Sequence, residues 1–137
     1  YKRQRTQQQS IHLAILTEPF LRYILDGKKT IESRFSKHPI KPYQSVSPGD
    51  VLILKRSGGP VVAVCQVTTV QFFTLDASTR ATLQAKYTRP ICADEPGFWE
   101  ERAEKRYATL MGVGDVQRLP DLNCSKKDRR GWVSLLE

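Results

Sequence analysis

Read as a pattern of apolar and polar positions, the chain begins its periodic part at IHLAIL (residues 11–16), a short apolar run that predicts a strand. In the next segment, TEPFLRYILDG, the residues Phe20, Leu21, Ile24 and Leu25 fall on one stripe at helical spacing. Pro19 suits the first turn of that helix, and Gly27 suits the left-handed position that stops it. After the stop, TIESRF alternates strictly, which predicts a strand with Thr30, Glu32 and Arg34 on one face and Ile31, Ser33 and Phe35 on the other. Ile31 and Phe35 are expected in the core.

A Pro-rich connection, HPIKPYQSVSPGD, leads to VLILKR and VVAVCQVTTVQFF, two strands joined by the hairpin signal SGGP. LDASTRATLQAKY and EPGFWEERAEKRY are predicted helices, the second supported by Glu101 four residues before Lys105, with Phe98 and Trp99 on its core side. ATLMGVGDVQRL reads as a strand with glycine-permitted bends, and GWVSLL as a closing strand in which Trp132 is expected to be core. Strands outnumber helices, and neither a βαβ alternation nor a Gly-rich phosphate loop is present. The expected fold class is therefore α+β, mainly β: a small mixed or antiparallel β-barrel with two or three flanking helices.

The first ten residues, YKRQRTQQQS, carry no apolar period and are expected to form a disordered basic, Gln-rich arm, leaving residues 11–137 as one domain. An opening Tyr in place of Met is expected where upstream residues have been trimmed or are missing. No apolar run is long enough to cross a membrane and no signal-peptide layout is visible, so an intracellular protein, cytoplasmic or nuclear and not secreted, is expected. Cys65, Cys92 and Cys124 lack the paired spacing of a zinc site, and no metal or cofactor is expected; Cys65, within VVAVCQV, reads as a small buried hydrophobe. His12 and His38 have no partner pattern in the sequence and receive no catalytic role. Charge narrows the partner class: 22 Lys and Arg against 14 Asp and Glu give a formal net charge of +8, which favours a polyanion.

The candidate chemistry gathers in GKKTIESRF (residues 27–35). A lysine at the strand entrance and an arginine at its far end flank a carboxylate on one face, an arrangement that is either a surface ion-pair ladder or a site with Lys29 and Arg34 as phosphate donors on both sides of Glu32, an acceptor for base or sugar donors. Read as G-x-K-x-x-E-x-R, residues 27–34 resemble the signature of the ASCH family, a branch of the PUA-like superfamily. The surrounding order of strand, capped helix, motif strand and SPGDVLILK agrees over roughly residues 11–136. The resemblance implies a PUA-like barrel, a cleft lined by Lys29, Glu32 and Arg34, and a nucleic-acid partner, RNA or a nucleotide.

One branch of the family resembles small amidohydrolases that remove acyl groups from the amino group of cytidine, using a Lys and a Thr of the motif and a Glu on another strand. Lys29 matches that lysine, but Glu32 stands where the threonine falls, and a carboxylate there keeps Lys29 protonated. A binding module is therefore the expectation, with a hydrolase of a modified nucleoside (N4-acylcytidine amidohydrolase-like) or of RNA as the alternative, in which Lys29 and Glu32 would be catalytic. Two further groups are candidate ligand contacts: Lys55, Ser57 and Gly58 at the hairpin tip, and Lys127 and Arg129 in the basic cluster CSKKDRRGW. Tyr43, in the connection after the motif, either closes over a base or packs on the barrel.

Overall fold

The computed structural model describes residues 9–122 and 131–136. Among these residues six strands form one mixed sheet: β1 (Ile11–Leu16), β2 (Ile31–Ser36), β3 (Val51–Arg56), β4 (Val61–Thr74), β5 (Tyr107–Leu122) and β6 (Trp132–Leu136), in the order β2-β5-β4-β3-β1-β6. Three helices interrupt them: α1 (Phe20–Leu25), α2 (Ala77–Ile91) and α3 (Phe98–Glu101). Every neighbouring pair is antiparallel except β1 and β3, which run parallel with Ile11 opposite Val51 and Leu16 opposite Arg56. A parallel pair needs a crossover, and α1, β2 and the Pro-rich connection supply it.

The apolar period sorts the interior into two clusters. Ala14, Leu16, Leu52, Leu54, Cys65, Val67, Met111 and Trp132 fill the curled sheet, with Leu21 and Ile24 of α1 packed among them. Leu83 and Ile91 of α2, Phe98 of α3 and Leu110 of β5 form the second, against which Ile31 and Phe35 of β2 pack as their alternation predicts. Trp132 is core, and Tyr43 packs on the barrel with its ring 5.6 Å from Phe72 and 4.9 Å from Tyr107. The curl comes from register shifts along β4, one of them between Val67 and Thr69 opposite Gly112. A Cβ at Gly112 would lie 2.5 Å from the hydroxyls of Thr68 and Thr69, so only glycine fits the inside of that bend.

The expected stop at Gly27 holds, and α2 carries an N-cap of its own. Gly27 takes φ +79° directly after α1, and its N–H donates to the Ile24 carbonyl. Asp76 accepts from the Thr79 N–H at 2.7 Å and opens α2, which continues to Ile91 through Pro90, beyond the predicted end at Tyr87. EPGFWEERAEKRY, by contrast, contributes only the single turn of α3. Left-handed Gly97 starts it late, Arg102 leaves helical geometry, and the expected Glu101–Lys105 support is replaced by a Glu101–Arg102 contact at 3.8 Å. Among the described residues, no helix is long and apolar enough to cross a membrane, and no group of three His, Cys, Asp or Glu side chains could hold a metal ion.

Candidate nucleic-acid cleft

Because Gly27 turns the chain out of α1 and β2 begins four residues later, Lys29 enters the protein from the strand's approach while Glu32 and Arg34 follow at period two. All three converge on one cleft. The Lys29 and Glu32 side chains are only 1% and 7% exposed, and the Lys29 Nζ lies 3.3 Å from Glu32 Oε1. Lys29 also donates to the Ile91 carbonyl at 2.7 Å, at the C-terminal end of α2 where orphan carbonyls favour a cation. Its Nζ is 5.4 Å from the centroid of the Phe20 ring, whose negative face adds to the support.

Glu32 is the hub. Its Oε1 accepts from the Ser33 N–H (3.1 Å) and faces Lys29, while Oε2 accepts from Arg34 Nε at 2.9 Å and lies 2.9 Å from Arg34 Nη2. The carboxylate is thus engaged by the protein on all sides, which makes it an organiser of the two cations more than a free acceptor for a ligand. Burial pushes the Glu32 carboxyl up, but Arg34 and Lys29 together outweigh it and hold the group below its ordinary range. Burial pulls the Lys29 ammonium below its ordinary value, with Glu32 opposing that shift.

Arg34 has a second task that its sequence position does not reveal. Its Nη2 donates to the Ile15 carbonyl of β1 at 2.7 Å and its Nη1 to the Gly131 carbonyl, just before β6, at 3.2 Å. Since β2 and β6 are the two edges of the sheet, one guanidinium spans the seam that strand pairing leaves open. It also lies 5.3 Å from the Trp132 ring centroid, so the cation is framed by an aromatic on that side.

Around this triad the cleft encloses about 400 Å³, within the range of small-molecule sites. Four cations, Lys29, Arg34, Arg102 and Lys105, line it against two carboxylates, Glu32 and Glu101. Phe20, Phe35 and Phe98 form its apolar wall, with Phe98 meeting the other two edge-on at 5.9 and 6.2 Å. Arg102 lies over the Phe98 ring, 3.7 Å from its centroid, and donates to the Phe98 carbonyl at 2.8 Å. Sequence reasoning assigned no site role to Arg102, Lys105 or Phe20; the i,i+4 spacing of Phe98 and Arg102 is the signal that carries the first of them.

The remaining candidates fall elsewhere. Lys55, Ser57 and Gly58 do not line this cleft: Lys55 is buried with its Nζ on the Arg56 carbonyl, and the Ser57 N–H ties the hairpin to the Leu16 carbonyl. Lys127 and Arg129 lie outside the described residues. His12 has the partners that its sequence neighbours do not supply. Fully buried, it sits between Asp50 (2.9 Å at Nε2) and the Ser134 hydroxyl (3.0 Å at Nδ1), joining β1, the turn before β3, and β6. Asp50 also accepts from the Ser10 and Ser47 N–H groups, so this trio serves as a buried clasp.

Comparison with solved structures finds the same fold in a crystal structure of ASCH from Zymomonas mobilis, at 16% identity and TM-score 0.72, covering 91% of this chain and 87% of that one. A serine-to-alanine mutant of the Zymomonas mobilis protein matches at 18% identity and TM-score 0.65, over 82% of this chain and 73% of that one. Comparison with curated proteins finds no sequence match. The ASCH domain model matches residues 15–117, well over half of the 137 residues and including the whole of β2 with its Glu32 and Arg34. By that match, the chain belongs to the ASCH domain family.

Proposed function

We propose that the chain is a nucleic-acid-binding module whose cleft seats one nucleotide of an RNA. The observation that carries this reading is the composition of the cleft: four cations against two carboxylates, facing a wall of three phenylalanines. Such a site offers donors to phosphate or carbonyl oxygens and an apolar face to a base. Lys29 and Arg34, held by Glu32 and by backbone carbonyls, set a fixed positive charge at the base of the cleft, while Arg102 and Lys105 supply cations at its side. The net charge of +8 adds long-range attraction for a polyanion.

The test is fluorescence anisotropy with a labelled single-stranded RNA across a salt series, comparing the wild type with Arg102→Ala/Lys105→Ala. Those two residues lie outside the buried triad, so their removal spares its ion pairs. Binding should weaken steeply with salt, and the variant should lose about tenfold or more in affinity at low salt. Salt-independent binding, or unchanged affinity in the variant, would falsify the reading.

The alternative, a hydrolase of an N4-acylated cytidine or of RNA, draws on the lowered Lys29 ammonium and its contact with Glu32. Incubation with N4-acetylcytidine and with RNA decides it: turnover that Lys29→Met abolishes in a folded protein supports a hydrolase, and no turnover by the wild type rejects it.

A further inference from the structure

A second open cleft of about 880 Å³ lies beyond the first and has no role in the reading above. Among the described residues, Lys37 and His38, just after β2, Arg80 on α2, and Arg106 line it, with Tyr107 on one wall and Glu104 as the one carboxylate. Its cations are not spent on neighbours in the way those of the triad are. Among the described residues, neither Lys37 nor Arg106 is held in an ion pair, and both are exposed. Arg80, in contrast, is fixed in place, its Nη2 donating to the Lys105 carbonyl. The Arg106 backbone is pinned as well, its N–H on the Ser36 carbonyl and its carbonyl on the Leu75 N–H. The cleft is therefore a set of cations on an ordered frame.

The two clefts have a common neighbour. A smaller apolar depression shares Phe35 and Arg102 with the first and Leu75 and Arg80 with the second, with Trp99 on its wall. From the first cleft across this depression to the second, cations recur (Lys29 and Arg34, then Arg102 and Lys105, then Arg80, Arg106 and Lys37), and half-buried aromatic rings recur beside them (Phe35, Trp99 and Tyr107). A phosphate chain with bases splayed from it has that alternation of charge and flat apolar surface; a base-paired duplex keeps its base faces stacked and unavailable.

We propose that the second cleft holds backbone phosphates of the nucleotides flanking the one seated on the Lys29–Glu32–Arg34 triad, so that the protein engages several consecutive nucleotides of a single strand. The proposal deepens the function given above and rests on it for the position of the central nucleotide.

The test compares an adenosine or cytidine 5′-monophosphate, measured by calorimetry, with a ten-nucleotide single-stranded RNA of mixed sequence, measured by anisotropy across a salt series. Lys37→Ala/Arg106→Ala removes two exposed, unpaired side chains, and an unchanged melting curve verifies its fold. The variant should bind the ten-mer about tenfold or more weakly at low salt. The slope of log affinity against log salt should flatten by about 1.4, as expected for two lost single-strand phosphate contacts. Mononucleotide affinity should stay the same. An unchanged ten-mer affinity and slope in this variant would overturn the proposal, as would a wild type that binds the ten-mer no more tightly than the mononucleotide. Failure of the first cleft reads differently: the ten-mer stays sensitive to Lys37→Ala/Arg106→Ala but indifferent to Arg102→Ala/Lys105→Ala, which keeps the second cleft as a phosphate site and removes the first.

Discussion

Replacing Glu32 with glutamine keeps the shape of the hub and removes its charge. Lys29, 1% exposed, then carries a buried ammonium whose nearest counter-charge is gone, with Arg34 as a like charge beyond it. Breaking a buried pair in this way costs roughly 3–5 kcal/mol, because the surviving ion stays desolvated without its partner. In a chain of this size that corresponds to a fall in Tm of about 10 °C or more. Urea unfolding of the wild type, Glu32→Gln, Lys29→Met and the double variant measures the cycle. The double variant should be more stable than the sum of the two single losses implies, by about 2 kcal/mol, since it removes both charges together.

The same logic sets a pH dependence. The folded Glu32 carboxyl lies below its unfolded value of about 4.3, so between the two values the unfolded chain binds more protons and stability rises with pH. This contribution is fully present above about pH 5 and is lost as pH falls through the depressed folded value. Glu32→Gln should lack that acid limb. A single variant that costs less than about 1 kcal/mol, or a double variant whose loss equals the sum of the singles, would refute the triad as an energetic unit.

Three other outcomes follow from the described contacts. Asp50→Ala leaves the Ser10 and Ser47 N–H groups and His12 without their buried acceptor, and should cost about 3 kcal/mol or more in urea unfolding; a loss under about 1 kcal/mol would show that the clasp contributes little. Burial pushes the Cys65 thiol up to about 12, so Cys65 should resist iodoacetamide at pH 8 in the folded protein and react only on unfolding; peptide mapping that finds it labelled within minutes contradicts its packing. Gly112→Ala forces a methyl against the Thr68 and Thr69 hydroxyls and should lower stability by about 1–3 kcal/mol, whereas an unchanged urea midpoint means the bend is looser than described.

What the sequence made legible was local. The stripe of Phe20, Leu21, Ile24 and Leu25 gave α1, Gly27 its stop, and the alternation of TIESRF both the strand and the inward side of Ile31 and Phe35. Lys29, Glu32 and Arg34 could be named because they lie within six residues of one another and their spacing forces proximity. Illegible were relations across long separations, which leave no period. Examples are the parallel pairing of β1 with β3, the reach of Arg34 to Ile15 and Gly131, and the meeting of His12 with Asp50 and Ser134. The third predicted helix, EPGFWEERAEKRY, falls short for a different reason. FWEERAEKR has helical composition, but left-handed Gly97 and the packing of Phe98 and Trp99 against Phe35 override propensity, leaving one turn.

The pairing of β1 with β6 also bears on the order in which the molecule can be made. β1, the first of the described strands to be synthesised, is flanked by β3 and by β6, the last of them. Until β6 emerges, β1 has an open edge, His12 lacks Ser134, and Arg34 lacks the Gly131 carbonyl. Such an ordering makes folding wait for late residues and gives the nascent chain a period in which a strand edge is free to pair wrongly. Shortening the chain before Trp132 would make that transient exposure permanent, and the cleft would lose its seam along with its last strand.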